Sequence, residues 1–295
     1  MNKISQIEDY ITYQKSCGKS SLTLTSYRSD LVQFAKWFER INSMDLKLLK
    51  ITPTDMRYYK QHLMDANLRP QTINRRLLSV KYFLEWGWAT KRIKSRFPLP
   101  QTVKHTQSTP KWLSKTQQNK LLRHVERYGT IRDKAIIKAL LNTGLRVSEL
   151  CSIKWTHVTL TDRKGKVQLQ AGKGEKYRDI PLNQEARQAF LDLEYPIYAG
   201  TNEFVFKGQR GPLSPRGIQL MLKRLNLPKD LGDVSPHSFR HTFCKNLVNA
   251  GVSLEKVAAL AGHERLETTK LYCHPSFADL TEAVERIGEL ETCAS

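Results

Sequence analysis

Acidic side chains are scarce in this sequence: 28 Asp and Glu stand against 48 Lys and Arg, a formal net charge of +20 over 295 residues. Such an excess repels itself unless a polyanion balances it, which points to nucleic acid or an anionic membrane surface. Long apolar runs are also missing. No stretch is long enough to span a bilayer, and no basic–apolar–small leader opens the chain, so the expectation is a cytoplasmic protein with no membrane partner. The five cysteines, Cys17, Cys151, Cys244, Cys273 and Cys293, are odd in number and lack CxxC spacing, which excludes a disulfide framework and fits reduced thiols. His237 and His241 stand four apart with Cys273-His274 further on, yet the glutamate of HExxH is absent and Phe239-Arg240 fill the interval. A guanidinium beside a metal repels it, so zinc is set aside and no metal or cofactor is expected.

What is present begins with 40% apolar residues, enough for real cores. The positive charge is spread rather than held in a tail: residues 1–104 carry 19 basic and 8 acidic side chains, the remainder 29 and 20. Both halves are therefore expected to touch the polyanion.

Periodicity makes the first hundred residues helical. Ile4, Ile7, Tyr10 and Ile11 mark one helix, and Leu24, Tyr27, Leu31, Phe34 and Phe38 a second. Thr52-Pro53 starts a third, and Pro70 a fourth bearing Ile73, Leu77, Val80, Phe83 and Leu84. Four helices with short loops predict a bundle over 1–96. Its fourth helix carries Arg69, Gln71, Thr72, Asn74, Arg75, Arg76 and Lys81, a set expected to contact phosphates and base edges, a solvated outer face being the lesser alternative. Residues 95–110 hold three prolines without helical period, so a linker over 97–110 is expected.

From 111 to 295 the pattern predicts a mainly helical domain with a small antiparallel sheet. Ser114 caps a helix to about Arg127, Ile131–Asn142 forms another, and Val158–Leu160, Val167–Leu169 and Tyr177–Ile180 read as short strands. Gly165 and the pair Gly172 and Gly174 read as turns. A last helix is expected at about 276–290, with Phe277, Leu280, Val284, Ile287 and Leu290 as its apolar stripe.

Several weak signals fall in this half. In TGLRVSEL, Gly144 ends one helix and Arg146 opens the next, within reach of Glu149. Lys173 lies between two glycines at a predicted hairpin tip. In SPHSFRH, Ser235 caps and Pro236 takes the first turn, so His237 and Arg240 are expected side by side at a helix N-terminus, an anion site. LAGH places His263 after a capping glycine, and Tyr272 follows nine residues on. Alone, Lys173, His263 and Tyr272 read more plainly as structure, Arg146 with Glu149 reads evenly, and only the His237–Arg240 anion site stands above a structural reading.

Together, the order Arg146, Lys173, His237-x-x-Arg240, His263, Tyr272 resembles the tyrosine recombinase (phage integrase) family, and GKGEKYRDIPL, PHSFRHTF and LETTKLY agree. The helical first half is similar to the family's core-binding domain. Length and layout resemble the compact Xer-type enzymes and those of transposons and integrative elements, so an arm-binding domain is not expected. The resemblance implies catalytic roles for these six residues, with Glu149 in support, and a 3′-phosphotyrosyl intermediate resolved through a Holliday junction. It further implies a homo-tetramer on double-stranded DNA with paired sites, joined by exchange of the last helix and located at the nucleoid. Lys176 is an alternative to Lys173 as general acid. Two other functions use the same residues or fold: a type IB topoisomerase-like nicking–closing enzyme, and a non-catalytic DNA-binding protein.

Overall fold

A computed structural model describes residues 5–94, 96, 98, 100–104, 110–170, 177–209, 211–273, 280, 281 and 284. It divides into two compact units, Met1–Gln107 and Ser108–Ser295.

The first unit holds helices α1 (Ser5–Ser16), α2 (Ser21–Asn42), α3 (Pro53–Asp65) and α4 (Pro70–Ala89). Local chemistry starts them. Ser20 accepts a hydrogen bond from the backbone N–H of Thr23, while Thr52 and Asp55 form a reciprocal capping box ahead of Pro53. The apolar stripes converge on an aromatic centre in which Tyr10 meets Phe83 edge-on at 5.4 Å and Phe34 meets Tyr59 at 4.8 Å. Inside this core the carboxylate of Asp30, 1% exposed, is bonded by Arg75 and by the Ser79 hydroxyl, which ties α2 to α4.

The second unit opens with α5 (Lys115–Tyr128) and α6 (Ile131–Thr143), each begun by a capping box, Ser114 with Gln117 and Thr130 with Asp133. Gly144 ends α6 at φ +63°, and a Cβ there would sit 2.3 Å from the Phe243 ring, so both conformation and space require glycine. After α7 (Val147–Ser152) come strands β1 (Val158–Leu160), β2 (Gly165–Gln170) and β3 (Tyr177–Pro181). They form an antiparallel meander in the order β1-β2-β3, with Val167 opposite both Val158 and Ile180. The sheet packs its buried face, Val158, Val167, Leu169 and Ile180, into one core with Ile136, Leu140, Trp155 and Phe190.

Helices α8 (Gln184–Leu191) and α9 (Tyr195–Tyr198) follow, then a two-stranded ribbon, β4 (Lys207–Gly208) and β5 (Gly211–Pro212). The chain continues with α10 (Pro215–Arg224), α11 (Pro236–Asn249), α12 (Leu254–Ala261) and α13 (Leu266–Lys270). The molecule is mostly helical with a small antiparallel sheet.

Two details differ from the sequence reading. Gly165 begins β2 rather than making the turn, which Thr161 and Lys164 close instead. Its missing side chain lets Leu160 and Arg187 cover the strand. The β4–β5 ribbon, two residues per strand, is too short for any periodicity to reveal. The Gly172 and Gly174 turn lies outside the described residues. Of the expected 276–290 helix only residues 280, 281 and 284 are described, with Leu280 and Val284 exposed.

Candidate active site

Five elements, α7, β3, α11, the end of α12 and the turn after α13, bring the chemistry of the second unit together. Ser235 and Ser238 cap α11 reciprocally, Pro236 fills its first turn, and Arg240 follows one turn in. Arg240 is only 6% exposed and donates from Nη1 to the carbonyl of Gly144 at 2.8 Å, so the left-handed glycine that ends α6 also fixes the arginine.

Arg146, the N-cap of α7, donates from Nη1 to Glu149 Oε1 at 2.7 Å and from Nη2 to the Gly262 carbonyl at 2.6 Å. Glu149 Oε2 accepts the Arg146 backbone N–H at 2.7 Å and Nη2 of Arg178, on β3, at 2.9 Å. Burial raises the Glu149 pKa, but these hydrogen bonds and the two guanidinium charges outweigh it, and the carboxyl ends below its ordinary range. It is therefore ionised and acts as an orienting anchor. Burial, then the nearby charge of Arg146, lowers the basicity of Arg240. Two guanidiniums close enough to oppose each other with one carboxylate between three cations leave an excess of fixed positive charge, which an anion relieves.

Gly262 caps α12 at φ +65°, and a Cβ there would overlap the Arg178 guanidinium at 2.1 Å. His263 follows, its Nδ1 hydrogen-bonded to the buried Thr269 hydroxyl at 2.8 Å. Burial and the charges of Arg240 and Arg146 push its pKa down to about 4, so the ring is neutral. Its plane lies nearly parallel to that of Tyr272, 11° apart with centroids at 6.1 Å.

Tyr272, just after α13, is 2% exposed and packs among Phe243, Cys244, Val257 and Ala261. Its hydroxyl shares a 2.7 Å hydrogen bond with His241 Nδ1. Burial and the neighbouring Cys244 raise the phenol pKa far above its usual value, while Arg240 lowers it in part.

Arg146, Arg240, His263 and Tyr272 thus converge. His237 opens α11 three residues before Arg240; it is exposed while Arg240 is buried, with its ring centroid 6.5 Å from that of His241. Lys173 and Lys176 lie outside the described residues. Sequence reasoning missed two members. Arg178 sits on a strand 29 residues from its partner Glu149, and His241 was weighed only as a metal ligand. Among the described residues no group of three or more His, Cys, Asp or Glu is placed to hold a metal ion, and no helix is long and apolar enough to cross a membrane.

In the first unit the basic set on α4 has mixed fates. Arg69 and Gln71 are exposed and Thr72 is half-buried. Asn74 donates to the Val103 carbonyl at 2.9 Å and accepts its N–H at 2.8 Å, which occupies both ends of the amide. Arg75 is paired with Asp30, and Lys81 lies 3.7 Å from Glu85. Arg76 lines an open cavity of about 380 Å³ with Lys36, Arg40, His62, Trp37 and Tyr59. Lys36 and Arg40, at i and i+4 on α2, extend the basic surface beyond α4. Their spacing was visible in the sequence, but their meeting with Arg76 needs the packing of α2 on α4.

Comparison with known proteins covers both units. The phage integrase family matches residues 111–279, and the phage integrase N-terminal SAM-like domain matches 7–91. Tyrosine recombinase XerC of Staphylococcus epidermidis is 33% identical over 266 residues, 87% of this chain and 88% of that protein. The XerC of Chlorobaculum parvum is 29% identical over 316 residues, 95% and 93%. Among solved structures, the Tn1549 transposon integrase in complex with circular intermediate DNA aligns with TM-score 0.70 at 23% identity, over 96% of this chain and 99% of that one. XerH bound to a palindromic difH substrate aligns at 0.72 and 20%, over 95% and 83%. At these identities the structural likenesses speak to the fold.

Proposed function

The chain belongs to the phage integrase family, as a tyrosine recombinase that cuts and rejoins DNA at specific sites, and from that premise we propose that Tyr272 is its nucleophile and that Arg146 and Arg240 hold the phosphate it attacks. The observation that carries this reading is the convergence of both guanidiniums with the phenol, from α7, α11 and the turn after α13.

A phosphodiester gains negative charge on its non-bridging oxygens in the transition state, so catalysis rests on positioning and fixed positive charge. Guanidinium forks bond two oxygens at once. Attack by Tyr272 Oη forms an O–P bond as the 5′ oxygen leaves, which stores the ester energy in a 3′-phosphotyrosyl link and requires no ATP. Lys173 (or Lys176) protonates the leaving oxygen, His237 and His263 donate hydrogen bonds or move protons near the nucleophile, and Glu149 orients Arg146. No metal or cofactor enters this scheme.

The DNA partner is double-stranded with paired sites, exchanged through a Holliday junction by a homo-tetramer at the nucleoid. Residues 276–290 join neighbouring subunits, a role supported by the exposure of Leu280 and Val284. Residues 1–96 bind DNA through Arg69, Gln71, Thr72 and the Lys36–Arg40–Arg76 surface, and residues 97–110 link them to the catalytic part. The nicking–closing and non-catalytic readings are not favoured, since relatives at 33% identity are recombinases by name.

Tyr272→Phe tests the core of the proposal. It is expected to bind its site as the wild type does and to form no covalent DNA adduct; an adduct that persists assigns the nucleophile elsewhere.

A further inference from the structure

We propose that His241 is the proton acceptor for the Tyr272 hydroxyl in the cleavage step, an inference that rests on Tyr272 being the nucleophile. The two groups are in direct contact, Oη to Nδ1 at 2.7 Å.

The chemistry needs such a partner. Burial holds the phenol protonated throughout the physiological range, and a protonated phenol is a weak nucleophile, so its proton must pass to a nearby base as the O–P bond forms. The surroundings offer few. Cys244 lies against the hydroxyl, but burial pushes its thiol up to about 11, so it holds its own proton. Arg240 and Arg146 are permanent cations without a lone pair to offer. The Nδ1 of His263 is engaged with Thr269, and its ring lies nearly parallel to the phenol with centroids 6.1 Å apart. His237 is exposed.

His241 meets the requirement. Burial first, then the charges of His237 and Arg240, keep its imidazole neutral at neutral pH, so Nδ1 can accept while Nε2 carries the ring proton. It also follows Arg240 directly on α11, so the phosphate clamp and the proton acceptor are carried by one rigid helix.

The step balances. As Tyr272 Oη bonds to phosphorus, the O–H bond breaks and its proton passes to His241 Nδ1. The P–O5′ bond breaks, and the 5′ oxygen leaves as a hydroxyl with the proton of the general acid. In rejoining, an incoming 5′ hydroxyl attacks the phosphotyrosyl phosphorus and returns its proton to that acid, while the departing tyrosyl oxygen recovers a proton from the His241 imidazolium.

The test uses the full-length protein and a duplex carrying the site that the wild type selects from a random-sequence library. The duplex is rebuilt as a suicide substrate in two forms, one ordinary and one with sulfur in place of the 5′ bridging oxygen, which leaves without protonation. His241→Asn keeps a hydrogen-bonding group near Nδ1 but cannot take a proton. It is expected to bind DNA and to unfold thermally as the wild type does, and to form adduct roughly 10²- to 10⁴-fold more slowly at pH 7. The deficit should persist with the sulfur substrate, whereas Lys173→Ala should be rescued by it.

The pH profile adds a second readout. A base must be neutral to act, so wild-type cleavage should fall as the pH drops below the ordinary histidine value of 6.5, and this limb should vanish in His241→Asn. The groups acting on His241 are His237 and Arg240 on α11, with His263 and Tyr272 beside it; burial and the neighbouring guanidiniums hold the His263 pKa down to about 4. Should asparagine unfold the unit, His241→Gln carries the same comparison. Cleavage by the variant at the wild-type rate overturns the proposal. Faster cleavage does too, since the bond is then a restraint on the nucleophile, and rescue by sulfur moves His241 to the leaving-group side. Tyr272→Phe run in parallel separates the two levels: an adduct there sinks the nucleophile assignment itself, whatever His241 does.

Discussion

Arg146 and Arg240 hold their positions through carbonyl groups at the ends of helices, the Gly262 carbonyl for one and that of Gly144 for the other. Each glycine has positive φ and stands where a Cβ would collide, with Phe243 at 144 and with Arg178 at 262. Backbone conformation and active-site geometry are thus set by the same residues. Gly144→Ala is expected to lower stability by at least about 1 kcal/mol, from the left-handed backbone alone, and to slow cleavage through displacement of Arg240; urea unfolding and adduct assays check both. Arg146→Ala and Arg240→Ala should each cut the cleavage rate roughly 100- to 1000-fold with site affinity little changed, which gel-shift and single-turnover assays separate. Near-normal cleavage by either removes it from the clamp.

Glu149 adds a pH dependence at the same scale. Its carboxyl is depressed below the ordinary 4.5, so the stability it contributes is fully present above that value and is lost as the pH falls through the depressed one. Glu149→Gln should therefore be less stable than the wild type at pH 7, the difference narrowing in acid; a gap constant from pH 7 to 3 contradicts the ion-pair account.

At the level of elements, much of the site was legible because capping chemistry is local. Ser235-Pro236 announces α11, the Gly144-Leu145-Arg146 step announces the α6–α7 junction, and Gly262 marks the end of α12. The strands were legible for the same reason, since alternation at 158–160, 167–169 and 177–180 is a nearest-neighbour signal. What sequence could not show depends on contacts between distant elements. Arg178 alternates like any strand residue until β3 lies against α7. His241 acquires meaning only when the turn after α13, 31 residues on, delivers a hydroxyl to it. Asn74 looked free to read DNA until the backbone of Val103 occupied it. The caps have measurable weight: Ser235→Ala should cost about 1 kcal/mol and loosen the N-terminus that presents Arg240. A variant with unchanged unfolding midpoint shows the cap to be dispensable.

For the whole molecule, a net charge of +20 and two basic units imply binding dominated by counterion release. The logarithm of affinity should fall linearly with the logarithm of salt, with a slope of roughly −0.9 per phosphate neutralised. Replacing Lys36, Arg40 and Arg76 together by alanine should flatten that slope in fluorescence anisotropy titrations without altering the cleavage chemistry; an unchanged slope removes that surface from the interface. Removing residues 276–295 should leave single-site binding intact and abolish tetramers and strand exchange, as sedimentation and recombination assays report. Recombination by the shortened chain contradicts assembly through that segment.

The central claim, a transient ester between the Tyr272 oxygen and a 3′ phosphate, is tested most directly by mapping the covalent joint. Wild-type protein trapped on a suicide duplex, digested with nuclease and trypsin and sequenced by mass spectrometry, should carry its nucleotide remnant on Tyr272, attached through the 3′ phosphate. A remnant on any other residue, or attachment through a 5′ phosphate, contradicts the mechanism.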